Sequence, residues 1–217
     1  MVIGEPEREV KRLPLWAVPA RVRLALIVFA SLSILGAAGV IVFAKPESAT
    51  NVGSDGFAGA LSPADIAVRD FRLRDQEGRP ASLREYRGRV VVLTFMYSTC
   101  QDTCPVTAQT IRGALDELGH DVPVLAVSVD PANDTRDTAE RFLVKQGLSA
   151  GRMRFLLGTR AQLQPIWDAY GIRPQGKGFE HTAYTAVLDR TGRQRVAFPS
   201  DHLTDRGLAH DIRKLES

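Results

Sequence analysis

Two cysteines, Cys100 and Cys104, are the residues of this chain best suited to metal or redox chemistry. They are the only cysteines among its 217 residues, and three residues separate them. Two thiols at this spacing near a helix start can bind one metal ion, join as a disulfide, or alternate between the two in an oxidising compartment. A purely structural disulfide here would close a loop of about five residues and contribute roughly 2 kcal/mol. A stabilising crosslink gains more from joining distant segments, so the short spacing favours chemistry.

The cysteines lie where a predicted strand is followed by a predicted helix, within VVVLTFMYSTCQDTCPVT at 90–107. Strand ends at this edge of an open α/β sheet commonly hold the site. At a helix start, backbone N–H groups and the helix dipole stabilise a thiolate and lower its pKa. Pro105 is compatible with the first helical turn, where a missing N–H is harmless. The alternative, two small buried apolar side chains, fits poorly with the polar Gln-Asp-Thr sequence between the cysteines.

A histidine is needed to complete a three-coordinate metal site. Two thiolates and one imidazole suit copper, as Cu(I) or Cu(II), whereas zinc typically requires a fourth ligand or a water. Of the four histidines, His181 ends a glycine-rich segment just before an apolar strand. Thioredoxin-like topology brings that position against the cysteine-bearing helix start, so His181 is the predicted third ligand. His120 and His210 have polar surroundings typical of solvated side chains, and the sequence leaves the role of His202 open.

Asp130, in Val129-Asp130-Pro131, follows a predicted strand that ends at the same edge of the sheet. Its carboxylate could hydrogen-bond near the cysteines or contact a partner protein. An Asp-Pro pair is equally typical of a turn. The sequence does not decide between these two roles.

Alternating strands and helices are predicted to position these residues. Apolar runs rich in β-branched residues, a hairpin signal at 189–192, and helical periodicity between them indicate a thioredoxin-like α/β sandwich. The predicted strands are 71–73, 81–83, 90–96, 122–129, 154–157, 183–188 and 195–198. The predicted helices are 105–118, 135–146, 160–170 and 204–215.

The N-terminal part of the chain has the pattern of a membrane anchor. Residues 24–44 contain no charge, and 21 residues in a helix span roughly 30 Å, the thickness of a bilayer core. Residues 1–23 carry five basic residues against three glutamates, so the tail is predicted to be cytoplasmic and the rest extracytoplasmic, on the periplasmic side of the cell membrane. A cleaved signal peptide ending at Ala44 is the alternative, but its apolar region is usually shorter. Residues 45–62, rich in Gly, Ser and Ala, are predicted to be a flexible linker to a domain at 63–217.

The charge distribution argues against a nucleic-acid partner. The formal net charge is +3, and no basic run or interleaving of basic and aromatic residues occurs. The sequence pI near 9.1 reflects a modest excess of arginine, not a basic patch.

Three motifs together resemble the Sco/SenC family of copper chaperones. They are TFMYSTCQDTCPVT at 94–107, VSVDPANDT at 127–135 and FEHTAYTAVLDRTG at 179–192, and they follow an apparent N-terminal anchor. The resemblance covers residues 65–217 in order and spacing. Gln101 stands where the family usually has proline, and Glu180 stands where an aspartate commonly precedes the histidine. These departures leave the ligands unchanged and bear on affinity, potential and the choice of client.

The resemblance implies that Cys100, Cys104 and His181 are copper ligands. It further implies delivery of copper to the copper A centre of cytochrome c oxidase, or to another extracytoplasmic copper protein. The alternative from a different class is an enzyme, a thiol-disulfide reductase that reduces client cysteines through Cys100 and Cys104. His181 discriminates between the two because dithiol exchange does not need an imidazole. A peroxidase is a distant third, since peroxiredoxin-like sites lack this cysteine pair.

Overall fold

The computed structural model describes residues 19–22, 24, 28–29, 52–62, 70–174 and 184–217. The chain divides into two compact units, Met1–Ala49 and Thr50–Ser217. In the first unit, residues 20–22, 24, 28 and 29 are helical and exposed, and most of the predicted anchor at 24–44 lies outside the described residues. Within the described part of the chain, no helix has both the length and the apolar character needed to cross a bilayer.

The described strands of the second unit form one mixed sheet. The strands are β1 Ala60–Leu61, β2 Leu73–Asp75, β3 Pro80–Ala81, β4 Val91–Met96, β5 Val124–Ser128, β6 Arg154–Leu157, β7 Tyr184–Leu188 and β8 Gln194–Pro199. Their order in the sheet is β1-β8-β7-β4-β5-β6-β2-β3, with β4, β5 and β6 parallel and the other neighbours antiparallel.

Helices cover both faces of the sheet, which confirms the predicted thioredoxin-like α/β sandwich. Because β4 is covered on both sides, all six of its residues are buried, and this explains its continuous apolar run. Val92 and Met96 belong to one core, whereas Leu93 and Phe95 belong to the other. The helices are α1 Thr103–Leu118, α2 Arg136–Gln146, α3 Arg160–Tyr170 and α4 Asp205–Glu216, with a 3-10 turn at Leu83–Tyr86.

Local capping signals locate most helix ends. The Thr135 and Thr159 side chains accept hydrogen bonds from the third backbone N–H of α2 and α3, as expected for N-caps. Gly147, with φ of 69°, ends α2 in the left-handed conformation that glycine adopts without strain. Helix α1 begins at Thr103, two residues before the predicted start at 105. The first backbone N–H groups of a helix have no intrahelical partner, so a proline is tolerated at the third helical position as well as at the first. Pro105 occupies the third position, and Cys104 lies within the first turn.

The structure differs from the predicted linker at its C-terminal end. Phe57 is buried in the core, and β1 pairs with β8. The Asp211 carboxylate on α4 accepts hydrogen bonds from the Ala58 and Gly59 N–H groups at 2.8 and 2.9 Å. These residues are therefore part of the folded unit, which begins earlier than the predicted boundary at 63. A two-residue strand has no detectable periodicity, and its partners lie more than a hundred residues away in the chain.

Candidate metal centre

The two cysteines lie at the carboxyl end of β4 and the start of α1, as predicted. Cys100 is in the connecting loop and Cys104 is in the first helical turn, and only 8% and 2% of their surfaces are exposed. The Cys104 N–H donates to Cys100 Sγ at 3.4 Å, so the helix start faces this sulfur. Both cysteines are free thiols. The helix N-terminus thus surrounds one sulfur with hydrogen-bond donors.

Hydrogen bonding makes the two thiols unequal. The pKa of Cys100 is lowered to about 5, chiefly by a hydrogen bond from the Cys104 thiol and then by the N–H groups of Cys104 and Asp102, against the opposing effect of burial. The pKa of Cys104 is raised, because the same hydrogen bond favours its protonated form and because the group is buried. At neutral pH the site therefore holds one thiolate and one thiol.

Tyr97, directly after β4, is a site residue that the sequence reasoning missed. Its hydroxyl hydrogen-bonds to Cys100 and helps to stabilise the thiolate. The pKa of Tyr97 is raised, first by burial and then by that contact, so the phenol remains a donor. A tyrosine three residues before the first cysteine is the only sequence signal for this role.

Asp134 holds the cysteine-bearing loop in place. Its buried carboxylate accepts hydrogen bonds from the Ser98 N–H and Oγ at 2.7 and 2.6 Å, and from Ser128 Oγ at 2.5 Å. Burial raises the pKa of this carboxyl group. Thr135 is the N-cap of α2, and Asp134 instead ties the cysteine-bearing loop to the end of β5.

The described contacts of Asp130 are those of a turn. Its carbonyl oxygen accepts hydrogen bonds from the N–H groups of Asn133 and Asp134 at 3.1 and 2.9 Å, and its carboxylate accepts from Asn133 Nδ2 at 2.8 Å. Its negative charge also contributes to the raised pKa of Tyr97. Asp130 therefore closes the turn and acts on the site at a distance.

The predicted third ligand, His181, lies outside the described residues. Tyr184, the first described residue after it, begins β7 and lines a small cavity together with Cys104. The remaining histidines have other contacts: His120 with Glu216 at 3.2 Å, His210 with the Gly56 carbonyl at 3.2 Å, and His202 with Asp201 at 3.9 Å. Among the described residues, no group of three His, Cys, Asp or Glu side chains could hold a metal ion. The role of His181 stays a prediction.

The donor set of the described site fits a soft metal ion. The Cys100 thiolate and the Cys104 thiol are hydrogen-bonded to each other and provide two sulfur donors. Sulfur ligands select copper(I), zinc or iron–sulfur centres over hard cations. A two-sulfur site with one further donor is compatible with copper, whereas a structural zinc site requires four ligands.

The lowered pKa of Cys100 predicts an unusual pH profile for its alkylation. With reduced, metal-free protein, the iodoacetamide rate constant should be constant above about pH 6 and fall roughly tenfold per pH unit below about pH 5, because only the thiolate reacts. Cys104→Ala removes the side-chain donor that is the largest cause of the lowered Cys100 pKa, so this variant should move the midpoint upward. Peptide mass analysis identifies the alkylated cysteine, and a midpoint near the ordinary value of about 8.5 in the parent protein contradicts the assignment.

The sequence of this chain is similar to a known protein family and to several of its members. A family model described as SCO1/SenC matches residues 59–217. A SCO1 protein homolog of Bacillus subtilis is 30% identical over 99 residues, which are 44% of this chain and 51% of that protein. A putative copper-binding protein of Stutzerimonas stutzeri is 30% identical over 118 residues, covering 52% and 55% of the two chains. The chain thus spans about half the length of these curated relatives.

A solved structure shares both the fold and part of the sequence. Bradyrhizobium japonicum ScoI with copper bound superposes with a TM-score of 0.55 at 25% identity, over 68% of this chain and 98% of that one. The matched region of the family model includes both cysteines and the segment that carries His181.

Proposed function

The chain belongs to the SCO1/SenC family, and from this premise we propose that it is a membrane-anchored copper chaperone that delivers copper to the copper A centre of cytochrome c oxidase. The observation that carries the proposal is the pair Cys100 and Cys104, two buried sulfur donors at the start of α1. The copper held by ScoI of Bradyrhizobium japonicum and the name of the Stutzerimonas relative support the choice of metal. In this proposal copper is cargo, and His181 supplies the third ligand.

The unequal thiols suit a site that loads and unloads. Cys100 presents a thiolate at neutral pH, so one soft donor is available without loss of a proton. Cys104 binds as a thiolate only after losing its proton, so loading through both sulfurs releases a proton and weakens as the pH falls. Cys100 also borders a surface groove. A client protein that enters this groove can replace Cys100 as a ligand of the copper ion.

A second candidate function, thiol-disulfide reduction, is favoured by the same inequality. The Cys100 thiolate would attack one sulfur of a client disulfide, form a mixed disulfide and release a client thiolate. Cys104, after losing its proton, would then attack Cys100 Sγ and release the second client thiol. The client gains two electrons, and the chain is left with a disulfide between Cys100 and Cys104. This sequence of steps does not need His181.

The anchor remains part of the proposal. The uncharged run at 24–44 and the net positive charge of residues 1–23 support a single span with a cytoplasmic N-terminus and the folded unit on the periplasmic side. An anchored donor is held near a membrane-embedded client, which raises its effective concentration.

One experiment in cells that lack this chain tests both copper delivery to the oxidase and anchoring of the chain in the membrane. At limiting copper we expect the copper A absorption of the oxidase to be lost and to return when the full chain is expressed. The restored chain should stay in carbonate-washed membranes, and protease at the outer face should digest the folded unit but spare residues 1–23.

Two outcomes contradict different parts of this proposal. A copper A centre that assembles normally without the chain at limiting copper rules out delivery to this client. A mature N-terminus at Lys45 instead shows cleavage of a signal peptide and removes the anchor, while leaving the copper role intact.

A further inference from the structure

A groove of about 320 Å³ runs between the cysteine-bearing loop and helix α2. Cys100 and Gln101 line one side, and Thr138, Arg141 and Lys145 line the other. Hydrogen bonds tie α2 to the elements opposite it: Ser98 Oγ and Thr138 Oγ1 are hydrogen-bonded at 2.9 Å, and Gln109 Nε2 donates to Gln146 Oε1 at 3.1 Å. The groove is therefore a built feature of the fold that opens next to one of the two sulfur donors.

The charge of this groove is positive and unbalanced. Arg141 and Lys145 are both exposed, and within the described part of the chain neither has a carboxylate partner. By contrast, the nearby Arg112 donates to the Gln146 carbonyl oxygen at 3.2 Å. No carboxylate is found among the described residues that line the groove. Phe142, which is buried, adds an apolar side chain to the lining of the groove.

These features together describe a recognition surface for a negatively charged chain segment. Two cations four residues apart on one helix face match carboxylates spaced along an extended peptide, and such charges chiefly accelerate association and select partners. The volume lies at the small end of the range for binding pockets, so it accommodates a few side chains and not a domain face.

We propose that the groove between the cysteine loop and α2 docks an acidic, cysteine-bearing segment of a client protein, with Arg141 and Lys145 directing the client sulfur to Cys100. The inference rests on the proposed function, because it names the chemistry of the partner that exchanges with the site. It commits to a protein segment whose carboxylates flank a cysteine.

The test uses the full chain in detergent, reduced and metal-free, with two short peptides as probes. Each peptide has one cysteine activated as a disulfide with 2-thiopyridine; glutamates flank this cysteine in one peptide and lysines in the other. The Cys100 thiolate attacks the peptide sulfur, the bond to thiopyridine breaks, and the thiopyridine leaves with the electron pair. Its absorbance gives the second-order rate constant, and the ratio for acidic over basic peptide removes any change in intrinsic thiol reactivity.

Two charge-reversed proteins are compared. Arg141→Glu with Lys145→Glu should lower the acidic-to-basic rate ratio by about tenfold or more at low salt, with a smaller effect at high salt. The control, Arg87→Glu with Arg89→Glu, makes the same change in net charge with two exposed arginines that precede β4, at the opposite end of this strand from Cys100. The control should retain the parent ratio.

The proposal is overturned if the ratio stays unchanged in the groove variant, or if the control changes it equally, since the second result indicates only net charge. Copper titration of the same proteins keeps the proposed function separate. A parent protein that binds no copper but shows the charge-dependent ratio contradicts the chaperone role alone. Copper binding with an unchanged ratio contradicts only the groove.

Discussion

Serine at position 100 or 104 is expected to abolish sulfur-to-copper charge transfer. The parent full chain should bind one Cu(II) with an intense thiolate-to-copper absorption band, because sulfur ligation mixes ligand and metal orbitals. Either substitution removes one of two sulfur donors, so we expect the band to disappear and copper affinity to fall about 100-fold or more. Absorption spectroscopy during copper titration measures both effects.

The matched control for these variants is Thr110→Ser. Thr110 is partly exposed on the same helix as Cys104, and its hydroxyl donates to the Val106 carbonyl at 3.0 Å, a contact that serine retains. The control should keep the band, and thermal unfolding of each protein checks that the fold persists. A band that survives in Cys100→Ser or Cys104→Ser shows that the replaced cysteine is not a ligand.

The second large effect is expected from His181→Ala, which separates the chaperone from the reductase. If the imidazole is the third ligand, its loss should weaken copper affinity by about 10–100-fold or more. Exchange of Cys100 with a small neutral disulfide should stay within about twofold of the parent rate, because the donors that stabilise this thiolate are Cys104, Asp102 and Tyr97. Copper competition titration and stopped-flow exchange measure the two quantities on the same protein.

The matched control for His181→Ala is His202→Ala, which removes an imidazole that is not a predicted copper ligand. His202 is highly exposed, with 76% of its side chain accessible, and its ring contacts Asp201. The His202 variant should match the parent in copper affinity and in oxidase maturation. In cells at limiting copper, maturation should fail with His181→Ala and recover in part with added copper. Normal maturation with His181→Ala at limiting copper would falsify the carrier role and leave dithiol exchange as the working function.

The parts of the fold that follow from local sequence were predictable. The apolar run at 90–96 predicted the strand β4, and helical periodicity at 160–170 predicted α3. Since both cysteines follow β4 directly, their position at the start of a helix was predictable as well.

The missed features depend on contacts between distant parts of the chain. Asp134 is 36 residues from Ser98 in sequence, and its role depends on β5 pairing with β4 in one register. The contacts of Asp211 with Ala58 and Gly59 span more than 150 residues, and the short pattern around β1 does not reveal them. The inequality of the two thiols likewise depends on the three-dimensional arrangement of donors, including Tyr97, which spacing alone does not provide.

X-ray absorption at the copper edge of the Cu(I)-loaded full chain tests the central claim most directly. The spectrum reports the atoms bound to copper without assuming their identity. Binding through Cys100, Cys104 and His181 predicts two sulfur neighbours and one nitrogen neighbour, with one sulfur neighbour lost in Cys104→Ser and the nitrogen neighbour lost in His181→Ala. A first shell made only of nitrogen and oxygen would contradict the account, because copper would then be bound away from the two cysteines.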